Sequence, residues 1–186
     1  MKKRTGKASV ILLLALMMLA AASVPGHAIA EPAAKSGKAV IQAGKKKTSV
    51  DVKVAHGIAY VPIKSLASVL GTSVVYYQED GMELYHVYEI RTGKAIATYT
   101  GYDGIGYFVE GRKKGEERGS EDQVLFSPPW ICQGETDYCW LNEAKDTGPF
   151  RSGSTLYVPL RLSAKALGMK LAVGKDSSGR ALYTLK

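Results

Sequence analysis

Imidazoles and thiols are scarce in this chain, with 3 histidines and 2 cysteines among 186 residues. His27 lies in an N-terminal stretch expected to be removed, which leaves His56 and His86. His56 precedes Gly57 in a hairpin-turn pattern, and His86 follows Tyr85 on a strand pattern, so neither reads as half of a metal site. Cys132 and Cys139 are separated by Gln133 to Tyr138; zinc would want two more ligands, and this gap fits no usual knuckle. It is not the C-x-x-C of a redox pair either. Ser65, Ser68 and Ser163 stand outside any Gly-x-Ser-x-Gly elbow. No Walker loop, dinucleotide fingerprint or EF-hand loop appears. Glu79-Asp80 before Gly81 reads as turn chemistry rather than a glycosidase pair. These absences leave no catalytic set, and a non-enzyme without a cofactor is expected.

Long apolar runs are also missing, with one exception at the start. Lys2, Lys3, Arg4 and Lys7 precede the apolar stretch Val10 to Ala22, and Ala28-Ile29-Ala30 follows as a small-x-small cleavage site. The run is shorter than the ~20 residues a spanning helix needs. Residues 1–30 are therefore expected to be a cleaved secretory signal, the alternative being an uncleaved anchor. No cysteine follows the run to carry a lipid. The mature chain of 156 residues would start at Glu31, with 31–38 as a tether before one ordinary domain. Its location is expected to be extracellular, free or associated with the wall, with no membrane contact after cleavage.

Net charge of one sign is small once the signal is set aside. The formal value is +8, the four signal cations account for 4, and +4 remains. Lys45-Lys46-Lys47 and Arg112-Lys113-Lys114 are the visible basic clusters. The second continues into Glu116, Glu117, Arg118, Glu121 and Asp122, a mix of signs that reads as a solvated loop; a patch for an anionic wall polymer is the sharper alternative. Nucleic acid is not an expected partner of an exported chain.

What the chain does have is one phrase used twice. Tyr60-Val61-Pro62-Ile63-Lys64 leads to Leu70-Gly71, and Tyr157-Val158-Pro159-Leu160-Arg161 leads to Leu167-Gly168, each position offset by 97. Ile58, Tyr60, Val61 and Leu156, Tyr157, Val158 are strand formers. Proline ends each strand and suits a first helical turn. Ile63, Leu66, Ala67, Leu70 and Leu160, Ala164, Leu167 then recur at helical spacing. The spacing predicts helices over 62–70 and 159–167, each closed by a glycine C-cap. A strand follows each (Val74 to Tyr77; Leu171 to Val173), then a turn, then a last strand, Met82 to Val87 and Ala181 to Leu185.

At these residues the chain resembles the copper amine oxidase N-terminal-domain-like family, stalk modules of secreted proteins in Gram-positive bacteria. The resemblance covers 39–186 and is strongest over 58–87 and 155–185. Tyr76 and Val173 stand where the family often has tryptophan, and Ile63-Lys64 replaces Leu-Arg. Lys94 to Thr100 and Ile105 to Gly111 look like the family's central strand pair. The resemblance implies an α+β fold: a curled antiparallel sheet around two short helices, built from strand-helix-strand-hairpin pseudo-repeats at 39–90 and 150–186, with middle strands and a cysteine loop over 91–149. It implies no copper site; that chemistry needs three imidazoles and a quinone-forming tyrosine on a larger domain.

Outside the cytosol, Cys132 and Cys139 are most simply a disulfide, closing a loop worth roughly 2.5 kcal/mol. Trp130, Tyr138 and Trp140 flank it, either capping the core or forming a binding surface. Lys64 and Arg161 occupy equivalent first-turn positions and are expected to meet a carboxylate or carbonyl of a neighbouring strand, the alternative being a pair of cationic ligand sites. The function expected is a non-catalytic stalk or adhesion module whose partner is wall polymer or another surface protein. The competing expectation is a carbohydrate- or peptidoglycan-binding module using Trp130, Tyr138 and Trp140.

Overall fold

The computed structural model describes residues 34–79, 85–102, 106–127, 130–132, 139–141 and 148–186. The expected signal peptide and Tyr138 lie outside the described residues, and for 102, 130–132 and 139–141 the description is of the backbone. In chain order the elements are β1 (Lys35–Ala43), β2 (Lys46–Ala55), β3 (Ile58–Pro62), α1 (Ile63–Val69), β4 (Val74–Glu79), β5 (Tyr85–Arg91), β6 (Ala95–Tyr102) and β7 (Gly106–Lys113). A 3-10 turn (Glu121–Gln123) leads to β8 (Val124–Phe126), β9 (Trp130–Cys132), β10 (Cys139–Leu141), β11 (Phe150–Ser152), β12 (Thr155–Pro159), α2 (Leu160–Ala166), β13 (Leu171–Lys175) and β14 (Ala181–Leu185).

The class is α+β, mostly strand with two helices of 7 residues each. The expected single curled sheet is divided into a seven-stranded sheet, in the order β11-β12-β3-β2-β1-β14-β13, and a five-stranded sheet, β4-β5-β6-β7-β8. The first is not wholly antiparallel, because β1 pairs with β14 in parallel, Val40 opposite Leu182. The tether is also shorter than expected: Lys35 to Lys38 already pair with Val54 to Asp51, although all four stay exposed. The hairpin between β2 and β3 turns at His56 and Gly57, both with positive φ (49° and 76°), as a two-residue turn of matching twist requires.

Both helices end as the glycines foretell. Thr72 N–H donates to Ala67 O (3.0 Å) and Gly71 N–H to Ser68 O (3.1 Å); Met169 N–H donates to Ala164 O (2.8 Å) and Gly168 N–H to Lys165 O (2.9 Å). These are two Schellman caps built at corresponding positions. The helices lie between the sheets. Ile63, Leu66, Ala67 and Val69 of α1 and Leu160, Ala164, Ala166 and Leu167 of the second helical segment are buried in one cluster with Ile41, Val61, Val158, Tyr99 and Val109. α2 comes so close to β7 that a Cβ on Gly111 would sit 2.6 Å from the Ala166 Cα. Leu70, expected in the core, is only partly buried, whereas Leu167 is 4 % exposed.

The face of the five-stranded sheet turned away from the helices carries a buried charge network. Glu89, fully buried, accepts from Arg91 Nε (2.7 Å), Arg112 (2.8 Å), Tyr77 (3.2 Å) and Thr98 (3.3 Å). Arg118, read as part of a solvated loop, instead pairs with Glu79 and Glu110, both at 2.7 Å. The expected final strand of the first copy, Met82 to Val87, runs on to Arg91, where Glu89 joins this network; Met82 to Leu84 lie outside the described residues.

Candidate functional site

Two clefts of similar volume border the β3–β12 pair. In that pair Val61 lies opposite Val158, Pro62 opposite Tyr157 and Tyr60 opposite Pro159. Each cleft joins the helix start and following hairpin of one phrase to the strand of the other. The first, of about 730 Å³, is lined by Pro62, Ile63, Lys64, Val74, Tyr76 and His86, together with Ser154, Thr155 and Leu156. The second, of about 720 Å³, is lined by Pro159, Leu160, Arg161, Leu171, Val173 and Tyr183, together with Gly57, Ile58 and Ala59. Every one of these positions in the first cleft differs by 97 from one in the second.

Their contents differ. The first cleft adds Asp51, Tyr88, Arg151 and Tyr157. Tyr76 and Tyr88 face one another across β4 and β5, ring centroids 5.0 Å apart and tilted by 41°. Tyr76 Oη is 2.9 Å from His86 Nδ1, and the two rings are nearly parallel. On the opposite wall Tyr157 stacks on Phe150 at 5.5 Å, with Lys53 Nζ 4.8 Å from its ring centroid. Burial pushes the Tyr88 phenol up, and Arg151 nearby partly offsets this. The second cleft adds Phe126, Leu162 and Lys165, so its lining is largely aliphatic.

The expectation that Lys64 and Arg161 meet a strand carboxylate or carbonyl fails. Both are exposed, and among the described residues neither makes a hydrogen bond or ion pair. The reason lies in the assignment of the available acids: Glu89, Glu79, Glu110 and Asp176 are taken by Arg91, Arg112, Arg118 and Arg180. Of the described arginines, only Arg151 and Arg161 have no carboxylate, and each lines one cleft. In the first cleft the nearest acid, Asp51, pairs with Lys38 at 3.2 Å.

The cysteine hairpin is separate. Cys132 lies directly opposite Cys139, Ile131 opposite Trp140, and Trp130 opposite Leu141. Antiparallel partners stand close enough for a disulfide to bridge. The two tryptophans fall in adjacent pairs, hence at register positions of opposite parity, whereas a single stacking platform needs like parity. His56 stays in its turn and His86 with Tyr76, and no cluster of three or more His, Cys, Asp or Glu suited to a metal occurs among the described residues. No described helix is long and apolar enough to cross a membrane.

No protein-family model, no curated protein and no solved structure matches this chain. Reading the sequence singled out Lys64, Arg161, Pro62 and Pro159 but passed over Tyr88 and Arg151. Extending the offset of 97 beyond the two phrases, to His86 with Tyr183 and Gly57 with Ser154, is the signal that outlines both clefts.

Proposed function

We propose that this chain is an exported, non-catalytic module of the copper amine oxidase N-terminal-like stalk type, built from two pseudo-repeats, which acts by binding at the cell surface. The observation carrying this reading is the pair of clefts lined at positions offset by 97. Their shared frame places one exposed cation in each, Lys64 in the first and Arg161 in the second. These clefts offer mainly rings, aliphatic surface and positive charge, and the proton-exchanging groups of the first, His86 and Asp51, are engaged with Tyr76 and Lys38. The Val61–Val158 register supports a local twofold relation between the repeats, since exchanging the phrases leaves every pairing in place. The opposed Cys132 and Cys139 support a disulfide that locks their hairpin in the oxidising space outside the cell.

The test is sedimentation with purified cell-wall sacculi. The mature protein is expected to pellet with them and to leave the supernatant at micromolar concentration, with no release of soluble wall fragments. Retention in the supernatant overturns the surface-binding reading, and fragment release overturns the non-catalytic one. Thiol titration of the denatured, unreduced protein should find no free cysteine.

A further inference from the structure

We infer that the cleft between α1, β4–β5 and β12 is a binding site for a carboxylate-bearing saccharide, with Tyr76, Tyr88 and Tyr157 receiving the sugar faces and Lys64 and Arg151 receiving the carboxylate. This rests on the surface-binding reading and names the ligand class.

Charge is the first ground. Lys64 and Arg151 are exposed, lack any carboxylate or hydrogen-bond partner among the described residues, and line the same cleft. A guanidinium left unpaired while Arg91, Arg112, Arg118 and Arg180 are ion-paired keeps its planar fork available for a bidentate carboxylate. Asp51, the one acid on the lining, is held to Lys38 and does not neutralise them.

Shape and surface chemistry are the second. Tyr76 is 49 % exposed, although it is large and aromatic. It is held in place from two sides, by Tyr88 at 5.0 Å and by the His86 hydrogen bond at 2.9 Å. Tyr157, on the facing wall, is fixed by Phe150 and Lys53. Rings fixed in advance lose little entropy on binding. Sugars alternate C–H faces with hydroxyls, which suits ring faces edged by phenols, imidazole and the Ser154 and Thr155 side chains. A volume of about 730 Å³ takes a short oligosaccharide. An extended acidic peptide, which the free edges of β4 and β11 beside the cleft would pair, is the competing ligand that oligoglutamate tests.

The sister cleft is the internal control. It shares the frame and a cation, Arg161, but has Val173 for Tyr76, Leu171 for Val74 and Ala59 for Leu156. A carboxylate alone would be drawn to both clefts; a carboxylated sugar needs the rings and so selects one.

The experiment is calorimetric titration of the mature protein with oligogalacturonate, with neutral oligogalactose and with oligoglutamate at equal charge. Binding of the uronate alone, weakened about tenfold or more by Lys64→Ala, Arg151→Ala or Tyr76→Ala and unchanged by Arg161→Ala, is the expected result. Equal binding of the neutral sugar removes the carboxylate from the proposal, and equal binding of oligoglutamate removes the saccharide. Loss on Arg161→Ala equal to that on Arg151→Ala moves the site to the other cleft. All substituted side chains are exposed or line the cleft, and an unchanged melting midpoint shows that the fold persists. Sacculus sedimentation of the same variants separates the two levels: a wild type that pellets but ignores uronate overturns this site alone, and one that does not pellet overturns the reading beneath it.

Discussion

The two clefts share a frame and differ in furnishing. One presents Tyr76, His86, Tyr88 and Tyr157 beside Lys64 and Arg151; the other presents Leu171, Val173, Leu162 and Phe126 beside Arg161 and Lys165. The backbone parts that make the frame are alike, down to the caps on both helices. The side chains that fill it differ, and so do the destinations of the hairpins that follow. β4–β5 enters the five-stranded sheet as its edge and second strand, whereas β13–β14 extends the seven-stranded sheet beyond β1. Local structure was therefore kept where the phrase is spelled twice, and the difference lies in what each hairpin packs against. A single cation at a matching position in each frame is a poor indicator of shared ligand, because its surroundings decide what approaches it.

The largest break in the comparison should come from charge beneath the first hairpin. Glu89 is wholly buried and Arg112 is 10 % exposed in its side chain, whereas in the turn of the second hairpin Asp176 is 14 % exposed and its partner Arg180 is 50 % exposed. Arg112→Ala leaves Glu89 short of a buried partner and should cost about 3–5 kcal/mol in urea unfolding. Asp176→Ala should move the midpoint far less. Burial pushes the Glu89 carboxyl up, but the hydrogen bonds and charges of Arg112 and Arg91 outweigh it and hold it below its ordinary 4.5. A depressed carboxyl adds stability above its ordinary value and loses it as pH falls through the depressed one. The penalty of Arg112→Ala should thus be full at neutral pH and shrink on acidification below 4.5. A penalty independent of pH would show that the guanidinium acts through packing instead.

A smaller asymmetry sits in the helices. Leu167 is 4 % exposed beside a helix gripped by β3, β6 and β7, whereas Leu70 is partly buried and its helix meets mainly β1, β2, β3 and β12. Leu167→Ala should cost about 2–5 kcal/mol. Leu70→Ala should cost less, about 1–2 kcal/mol, because it vacates less enclosed space. Equal losses would mean that the two helices are covered alike.

This pair also shows what the sequence could and could not disclose. The helices, their glycine caps and the turn at His56-Gly57 were legible because each is decided within a few residues. The strands Ala95–Tyr102 and Gly106–Lys113 were expected through the family resemblance, as Lys94 to Thr100 and Ile105 to Gly111. The parallel pairing of β1 with β14 was not, since it joins segments from opposite ends of the chain. Glu89 was missed because a charged residue in a strand reads as a solvent-facing one until its partners, two residues and 23 residues away, are known. Arg151 and Tyr88 were missed for a related reason: they enter the cleft from outside the repeated phrase, and nothing in their neighbours marks them. The described backbone of 130–132 and 139–141 sets Cys132 opposite Cys139, while the tryptophans beside them alternate in register rather than share it.

The smallest expected effect concerns the part the copies hold in common, and here the forecast is equality. Gly71 and Gly168 have φ of 76° and 65°, the left-handed region in which a Cβ crowds the following carbonyl. At neither position would an added Cβ meet any other atom within 4 Å. Steric contact with the rest of the molecule therefore drops out, and backbone strain is what remains. Gly71→Ala and Gly168→Ala should each cost about 1–2 kcal/mol. The two values should agree within about 0.5 kcal/mol, and the double variant should show their sum, since distant caps do not share partners. Asparagine, which tolerates this conformation better, should recover part of each loss. The measurement is the urea midpoint at unchanged slope. Unequal losses would mean that one cap is held by more than its own backbone, and the common frame beneath the two clefts would then be common in spelling alone.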